Sequence, residues 1–423
     1  MKINKAKLKR QKDFIHKWIK SACRGSLQAV TGFGKTYVAV LIIGSMNKRH
    51  PKRTTLVVVP TLHLQNQWNQ QIKTHNLKNV TVLVINTAIK MERTCNLLIL
   101  DEIHNYAATE SIKIFSLVTY DFILGLTATM ERSDKRDYLL HQYCPVLDTV
   151  DLKESLANDY VSKFLVFNLG LTMNKQENEE YEKLNSSFHY HFSQFDHEFS
   201  SAMSCMKNET YRESYAYARG RDPKELMIHA VNFNRNMQAR KKFLYNLPSK
   251  TAMVISLTKE FPLKTITFCE TVDFAKDLTK RIPNSVEYHS KVTKKNRKKK
   301  LEEFQDKGSK ISVLNTAKAL DEGFDVTGIE MAIISSGTST PRQDLQRTGR
   351  AIRFQENKIS MVINLYVKDT QDERWLHNRQ RKNANIIYVN SIDEIKQHMS
   401  GTYEPEDVVS HGRYELYKTP IKQ

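Results

Sequence analysis

Short, uninterrupted aliphatic runs set a helix-length apart constrain this chain more than any other feature. Leu56-Val57-Val58-Val59, Val80-Thr81-Val82-Leu83-Val84-Ile85, Leu97-Leu98-Ile99-Leu100 and Phe122-Ile123-Leu124-Gly125-Leu126 show no alternation of polar and apolar residues. A strand with one wet face alternates, whereas an unbroken run must be covered on both faces, as in a parallel sheet between helices. The same rhythm returns at Thr265-Ile266-Thr267-Phe268, Ile311-Ser312-Val313-Leu314, Met331-Ala332-Ile333-Ile334 and Met361-Val362-Ile363-Asn364-Leu365. Two α/β units are therefore expected, and a length of 423 residues accommodates them at about 150 residues per domain.

Between the two sets of runs, residues 174–247 read as helix. Leu184, Phe188, Phe192, Phe195, Phe199, Met203 and Met206 recur at spacings of four or three, as on one helix face. His189, His191, His197 and Cys205 fall in this stretch, but their spacing matches no strong zinc signature, so the stripe reads as a packing face. Pro248 and Pro262 punctuate the approach to the second unit. The expected division is 1–165 for the first unit, 166–250 for a crossover with a helical insertion, and 251–423 for the second unit with a C-terminal extension.

Lys and Arg number 65 against 46 Asp and Glu, a formal net charge of +19, which points to a polyanionic partner such as nucleic acid. The run Lys291, Lys294, Lys295, Arg297, Lys298, Lys299 and Lys300 reads first as a solvated helix face, then as a phosphate contact, and last as a nuclear localisation signal. No apolar run approaches the roughly 20 residues of a membrane span, and the N-terminus lacks a secretory pattern. Five scattered cysteines without a CxxC pair disfavour a disulfide scaffold or a zinc ribbon. The expected setting is a reducing compartment: the cytoplasm of a bacterium or phage-infected cell, or the nucleus in a eukaryote.

Three segments carry chemistry. In Ala29-Val30-Thr31-Gly32-Phe33-Gly34-Lys35-Thr36, small residues let the backbone curl around phosphates, the lysine supplies positive charge and the next hydroxyl can ligate Mg²⁺. Ala29 stands where the full GxxxxGK[ST] pattern has its first glycine. Asp101-Glu102-Ile103-His104 follows directly on Leu97–Leu100, at the carboxyl end of a parallel strand, where α/β sheets place their ligands. Asp101 there can hold Mg²⁺, and Glu102 can polarise an attacking water. In Gln346-Arg347-Thr348-Gly349-Arg350-Ala351-Ile352-Arg353, arginines spaced by three lie on one side of a helix turn and can act as fingers on a γ-phosphoryl group.

With these motifs in order, the chain resembles the superfamily 2 helicases over nearly its whole length, and within them the XPB-like and phage UvsW-like branch. Gln11, with Trp18 seven residues on, resembles the adenine-reading glutamine segment. Val59-Pro60-Thr61 with Gln67-Trp68 resembles motif Ia, and Asn86-Thr87 sits where the next strand-contacting motif falls. Asp101–His104 is a DEIH variant of motif II; Thr127-Ala128-Thr129 resembles motif III, continued by Glu131-Arg132-Ser133-Asp134. Phe268-Cys269-Glu270-Thr271, Asn315-Thr316-Ala317 through Leu320-Asp321-Glu322-Gly323-Phe324-Asp325, and Gln346–Arg353 resemble motifs IV, V and VI.

The resemblance implies two tandem RecA-like domains of α/β class with a helical, thumb-like insertion, ATP with Mg²⁺ in their cleft, and nucleic acid across both. It implies that Gln11, Thr31, Gly32, Phe33, Gly34, Lys35, Thr36, Gly323 and Asp325 bind the nucleotide, with Thr36 and Asp101 on Mg²⁺. Lys35, Glu102, Gln346, Arg350 and Arg353 take the catalytic roles. Pro60, Thr61, Asn86, Thr87, Thr271 and Thr316 contact nucleic acid, while His104, Thr127 and Thr129 couple hydrolysis to movement. The phosphate loop begins only about thirty residues in, so a separate N-terminal recognition domain of the kind several relatives carry is not expected. The leading expectation is an ATP-dependent DNA helicase or translocase acting on single-stranded, forked or branched DNA in recombination, repair or replication. Its rivals are an RNA or transcript-release helicase, a motor subunit of a restriction or defence complex, and a nucleic-acid binder with an inactive ATPase core.

Overall fold

The computed structural model describes residues 4–132, 134–160, 164–306, 308–317, 328–337, 360–380 and 386–400. Its strands fall into two wholly parallel sheets. The first comprises β1 (Arg24–Ala29), β2 (Thr55–Val59), β3 (Val80–Val84), β4 (Arg93–Asp101), β5 (Val118–Thr127) and β6 (Val146–Val150), in the order β3-β2-β4-β5-β1-β6. The second comprises β7 (Phe164–Leu171), β8 (Thr265–Cys269), β9 (Ser285–His289), β10 (Val313–Ala317), β11 (Met331–Ile334), β12 (Ser360–Val367) and β13 (Ile386–Val389), in the order β13-β7-β12-β11-β8-β10-β9. The expected α/β class with two helix-covered parallel sheets is the observed one.

Burial explains why the apolar runs lack alternation. In β4, Leu97 and Ile99 enter the core on one face, with Phe14, Trp18, Leu27 and Val57. Leu98 and Leu100 enter the core on the other, with Leu56, Val58, Ile103 and Tyr106. All four are fully buried, each contributing about 1.5–3 kcal/mol. β11 repeats the pattern, Met331 and Ile333 facing one core and Ala332 and Ile334 the other.

Two features differ from the sequence expectation. The division at 165 runs through β7, which pairs with both β12 and β13. The second sheet therefore starts before the helical insertion, and the insertion hangs between β7 and β8. The run Phe-Leu-Val-Phe-Asn-Leu-Gly-Leu is interrupted by a polar residue, which hides its strand character. That residue, Asn168, is fully buried and accepts a 2.9 Å bond from Nδ2 of Asn364, its register partner on β12. A one-residue slip would strand both amides without partners in the core.

The insertion is also four helices, not one: Lys175–Ser193, Phe199–Lys207, Glu209–Arg219 and Pro223–Tyr245. The first break falls where Asp196 and His197 adopt left-handed backbone, and Gly220 closes the third helix in the same conformation. Asn174 with Glu177 forms a capping box, and Asn208 and Asp222 cap the later helices. Phe188 and Phe195 join Cys205, Leu226 and Phe233 in a separate small core, with Phe192, Met203 and Met206 packed on it. Phe199 leaves the expected stripe and is 54 % exposed.

Where the chain re-enters the second unit, the helix Pro248–Glu260 buries Lys250 completely. Its ammonium donates to Asp372 Oδ2 at 2.6 Å and to Ser336 Oγ at 2.8 Å, which ties that helix to the segments after β11 and β12. Removing one member of a buried pair leaves an uncompensated charge, so Asp372→Ala should destabilise the second unit by about 3–5 kcal/mol. Lys250→Met combined with Asp372→Leu should recover most of that loss. Urea unfolding checks it; a single variant as stable as the parent would show that the pair is solvated and unimportant.

Candidate functional site

The order of the first sheet sets β4, β5 and β1 side by side. Asp101 pairs with Leu126, and Gln28 with Thr127, so the carboxyl ends of three neighbouring strands stop level with one another. From those ends run the phosphate loop after Ala29, the Asp101-Glu102 pair and the Thr127-Ala128-Thr129 segment. Residues more than seventy positions apart in sequence thus meet on one edge.

Gly32 and Gly34 take φ values of 91° and 90°, the left-handed turn that lets the loop curl into the helix Lys35–Arg49. A Cβ on Gly34 would lie 2.7 Å from Gln11 Nε2, so any larger residue would displace that amide as well as strain the left-handed φ. No side chain caps this helix and no acid occupies its first turn, leaving its N-terminal amides for an anion. The Lys35 ammonium donates to the Ala29 carbonyl at 2.8 Å, and Thr36 is half-buried beside it. Two side chains from the helix Lys5–Lys20 hold successive loop carbonyls: Lys7 Nζ donates to Gly32 O at 2.6 Å, and Gln11 Nε2 to Phe33 O at 2.8 Å. Gln11 is 3 % exposed, and this bond engages its amide nitrogen with the loop. The Phe33 ring is wholly buried in the first core, which leaves its backbone to face the loop.

Asp101 is buried, and burial pushes its carboxyl up, offset in part by a 2.8 Å bond from Trp68 Nε1, by the nearby Lys35 charge and by the Glu102 amide. Glu102 sits in left-handed backbone (φ 50°), turning the chain sharply as it leaves β4. That conformation costs a non-glycine residue about 1–2 kcal/mol, a cost found at sites that must aim a side chain. His104 Nδ1 lies 3.4 Å from Glu102 Oε2 and 2.8 Å from Thr127 Oγ1. Thr127 donates its own proton to Thr129 O at 2.6 Å, so its oxygen accepts from His104, which fixes a proton on Nδ1. The Thr129 amide returns a bond to Thr127 Oγ1 at 3.2 Å. Hydrogen bonds therefore link His104, Thr127 and Thr129, and the Glu102 carboxylate lies at ion-pair distance from the His104 ring. Arg132 extends this network by donating to the His104 carbonyl, while its pairing holds the Asp134 carboxyl well below the usual range.

Pro60 and Thr61 follow β2, Asn86 and Thr87 lie in the short helix after β3, and Thr271 follows β8, each at a carboxyl edge. Asn86 and Thr87 are exposed; Thr61 and Thr271 cap the helices Leu62–Thr74 and Val272–Arg281. Thr316 is corrected: it lies within β10 between β8 and β9, is 1 % exposed, and is not a surface residue open to a strand. Gly323, Asp325, Gln346, Arg347, Arg350 and Arg353 lie outside the described residues. The basic run after Lys291 forms the helix Lys294–Gln305, where Lys298 and Lys299 pair with Glu302 and Glu303, and Lys300 with Glu287.

Sequence reasoning missed Lys7, the orienting role of Trp68, and Gln28, whose Oε1 accepts from the Met130 amide beside Thr129. Only Lys7 left a signal, one helical turn before Gln11. The loop, the uncapped helix and the oriented buried carboxylate suit a nucleotide triphosphate with a divalent cation. Among the described residues no helix is long and apolar enough to cross a membrane.

Residues 249–355 match the helicase conserved C-terminal domain family, and residues 3–95 match the family described as type III restriction enzyme, res subunit. The DNA 3'-5' translocase XPB2 of Sulfurisphaera tokodaii is 28 % identical over 395 residues, covering 88 % of this chain and 83 % of that protein. The XPB helicase/translocase subunit of general transcription and DNA repair factor IIH of Danio rerio is 23 % identical over 67 % of this chain and 31 % of its own. A putative ATP-dependent RNA helicase of African swine fever virus is 33 % identical over 30 % of each chain. In fold, the chain is similar to S. cerevisiae Dbp5 bound to RNA and ADP BeF3 (TM-score 0.59, 13 % identity, 93 % of both chains). It is likewise similar to the Hef helicase domain of Pyrococcus furiosus (TM-score 0.56, 13 % identity, 87 % and 96 % covered). The chain is an ATP-hydrolysing superfamily 2 helicase of tandem RecA-like domains, related to the XPB-like translocases.

Proposed function

We propose that this helicase is a DNA motor that binds ATP with Mg²⁺ on the carboxyl edge of its first sheet and converts hydrolysis into movement along DNA, in recombination, repair or replication. The observation that carries the reading is the level convergence of the phosphate loop, Asp101-Glu102 and Thr127 on three adjacent strands, joined by the His104 bridge. DNA is favoured as the track because the relative matching 88 % of the chain is named a DNA translocase, whereas the viral RNA helicase matches 30 %. RNA remains the second reading, since such motors grip chiefly the phosphate backbone.

In this reading Lys35 and the helix amides receive the phosphates, and Asp101 with Thr36 would hold Mg²⁺, whose chemistry there is neutralisation of phosphate charge. Glu102 takes a proton from the attacking water, and the developing charge on the γ-phosphoryl group falls to Lys35, with Arg350 and Arg353 supplied by the second unit. His104 sits between the base and Thr127, so a change in charge at Glu102 acts across 3.4 Å on the His104 ring, which is hydrogen-bonded to Thr127. Exposed Asn86 and Thr87, with Pro60, Thr61 and Thr271, lie on carboxyl edges where a strand is contacted.

Lys35→Ala should lower turnover by about 100-fold or more without lowering thermal stability, because its ammonium serves the phosphates and otherwise only caps a loop carbonyl. Glu102→Gln should still bind ATP but hydrolyse it about 10²- to 10⁴-fold more slowly. Steady-state ATPase assays with nucleotide-binding titrations, run with single-stranded DNA and with RNA, check both. Turnover near the parent rate in Lys35→Ala, or in Glu102→Gln, would overturn the assigned roles.

The buried Asp101 carboxyl gives a pH prediction. Metal binding needs its ionised form, so activity falls as pH drops through its pKa. Trp68→Phe removes a hydrogen bond that favours the ionised form, which raises that pKa further. The acid limb of the kcat/KM profile should move to higher pH and the Mg²⁺ requirement should rise. An unmoved acid limb would mean that Asp101 does not titrate in the profile.

A further inference from the structure

The helix Lys5–Lys20 carries seven lysines and arginines against one acid, Asp13, and its two faces use them differently. Toward the protein it buries Gln11, Phe14 and Trp18. The cations flanking that face are engaged: Lys7 holds the Gly32 carbonyl, Arg10 bonds Asp148 and Glu154 at 2.6 Å, and Lys17 meets Asp148 at 3.0 Å. On the opposite face Lys5, Lys9, Lys12, His16 and Lys20 follow one another at spacings of four and three, all exposed. These four lysines form no ion pair among the described residues. The basic helix of the second unit differs, since its Lys298, Lys299 and Lys300 each have a glutamate partner.

Such a row works against the helix that carries it. Like charges three and four residues apart repel, and no acid occupies the first turn, where the helix dipole favours one. The row therefore collects charge that an anion outside the helix must offset. Its length suits an extended polyanion. From Lys5 to Lys20 it spans about 22 Å at about 1.5 Å per residue. A DNA strand presents a phosphate about every 3.4 Å of helix axis, so the row lies along about six base pairs. A protein partner fits less well, because interface cores are depleted in lysine and enriched in aromatic residues. The large apolar side chain exposed on this helix is Ile19, at the margin of the row.

We propose that this lysine face is a second DNA-binding surface, which takes the phosphate backbone of duplex DNA flanking the strand held by the motor. This rests on the DNA-motor reading. The helix packs on β1 and β6, whereas Pro60, Thr61, Asn86 and Thr87 follow β2 and β3. In the sheet, β4 and β5 separate those two pairs of strands, so they lie on the order of 15–24 Å apart at about 4.8 Å per strand. That exceeds the screening length of about 10 Å at ~0.1 M salt, so the face meets DNA as a contact of its own. Two contacts on one DNA molecule raise the effective concentration of the second, which prolongs residence without touching the chemistry.

The test is DNA binding by the full chain over a range of salt with two probes. One is a short oligothymidylate that occupies only the strand track, and the other is the same strand joined to a duplex arm. Combining Lys5→Gln, Lys9→Gln, Lys12→Gln and Lys20→Gln removes the charge and keeps good helix formers. Affinity for the armed probe should fall about tenfold or more, and its slope of log K against log salt should flatten by about 2–4, at about 0.9 per lost phosphate contact. Binding of the short strand, DNA-free ATP turnover and Tm should stay as in the parent. Arginine at the same four positions keeps the charge and should bind like the parent; weak binding by that variant would overturn the proposal. An unchanged slope on the armed probe would also overturn it, leaving a solvated face. Equal losses on both probes would do the same, by showing a general field in place of a contact. So would loss of polyglutamate binding with armed-DNA binding intact, which would assign the face to an acidic protein. Failure of the parent to bind the short strand would instead defeat the motor reading itself.

Discussion

Everything at the nucleotide edge depends on the parallel register of β4, β5 and β1. Backbone pairing sets Asp101 opposite Leu126 and Thr127 opposite Gln28, and the three chemistry-bearing turns then begin at one level. Parallel pairing is intolerant of slip here because these strands are buried on both faces, and a shift by one residue would exchange the side chains of two filled cores. Gly125 marks how tight the arrangement is: a Cβ there would lie 2.7 Å from Ile103 and 2.8 Å from Ser26. The aliphatic runs that dominate the sequence are thus also what align the site.

Several of the polar groups buried around this frame hold something in place. Trp68 orients Asp101, Gln28 holds the Met130 amide, Asn364 matches Asn168, and Lys250 pairs with Asp372. Each supplies direction that apolar packing lacks, and each would be costly if left half-made. The buried cysteines play the opposite part: burial pushes the Cys95 thiol up to about 11 and the Cys144 thiol to about 12, so both behave as small apolar groups.

Much of this was legible in the sequence, and the reasons are specific. Unbroken runs such as Leu97–Leu100 admit few folds, and Gly32-Phe33-Gly34-Lys35 with Asp101-Glu102 has a spacing that chemistry rarely needs elsewhere. The strand β7 was hidden because a buried asparagine makes its run look like a linker. The insertion read as a single helix because periodicity does not register a turn such as Asp196-His197 that preserves the apolar spacing. That the Phe33 ring points inward follows from long-range packing in the first core, including Tyr160, more than a hundred residues away. The partners of Trp68 and Lys7 are likewise long-range and leave no local pattern.

The central claim is that the bridge from Glu102 through His104 to Thr127 carries the consequence of hydrolysis into movement. Thr127→Val keeps the shape of that side chain and removes the hydroxyl on which His104 and Thr129 converge. The decisive measurement compares ATP turnover with translocation on the same DNA, the latter read by displacement of a bound third strand. The account predicts that the valine variant retains turnover within a few-fold while displacement falls by about tenfold or more, as expected when a buried hydrogen-bond junction is lost. Equal loss of both activities, or full displacement without the hydroxyl, would contradict it.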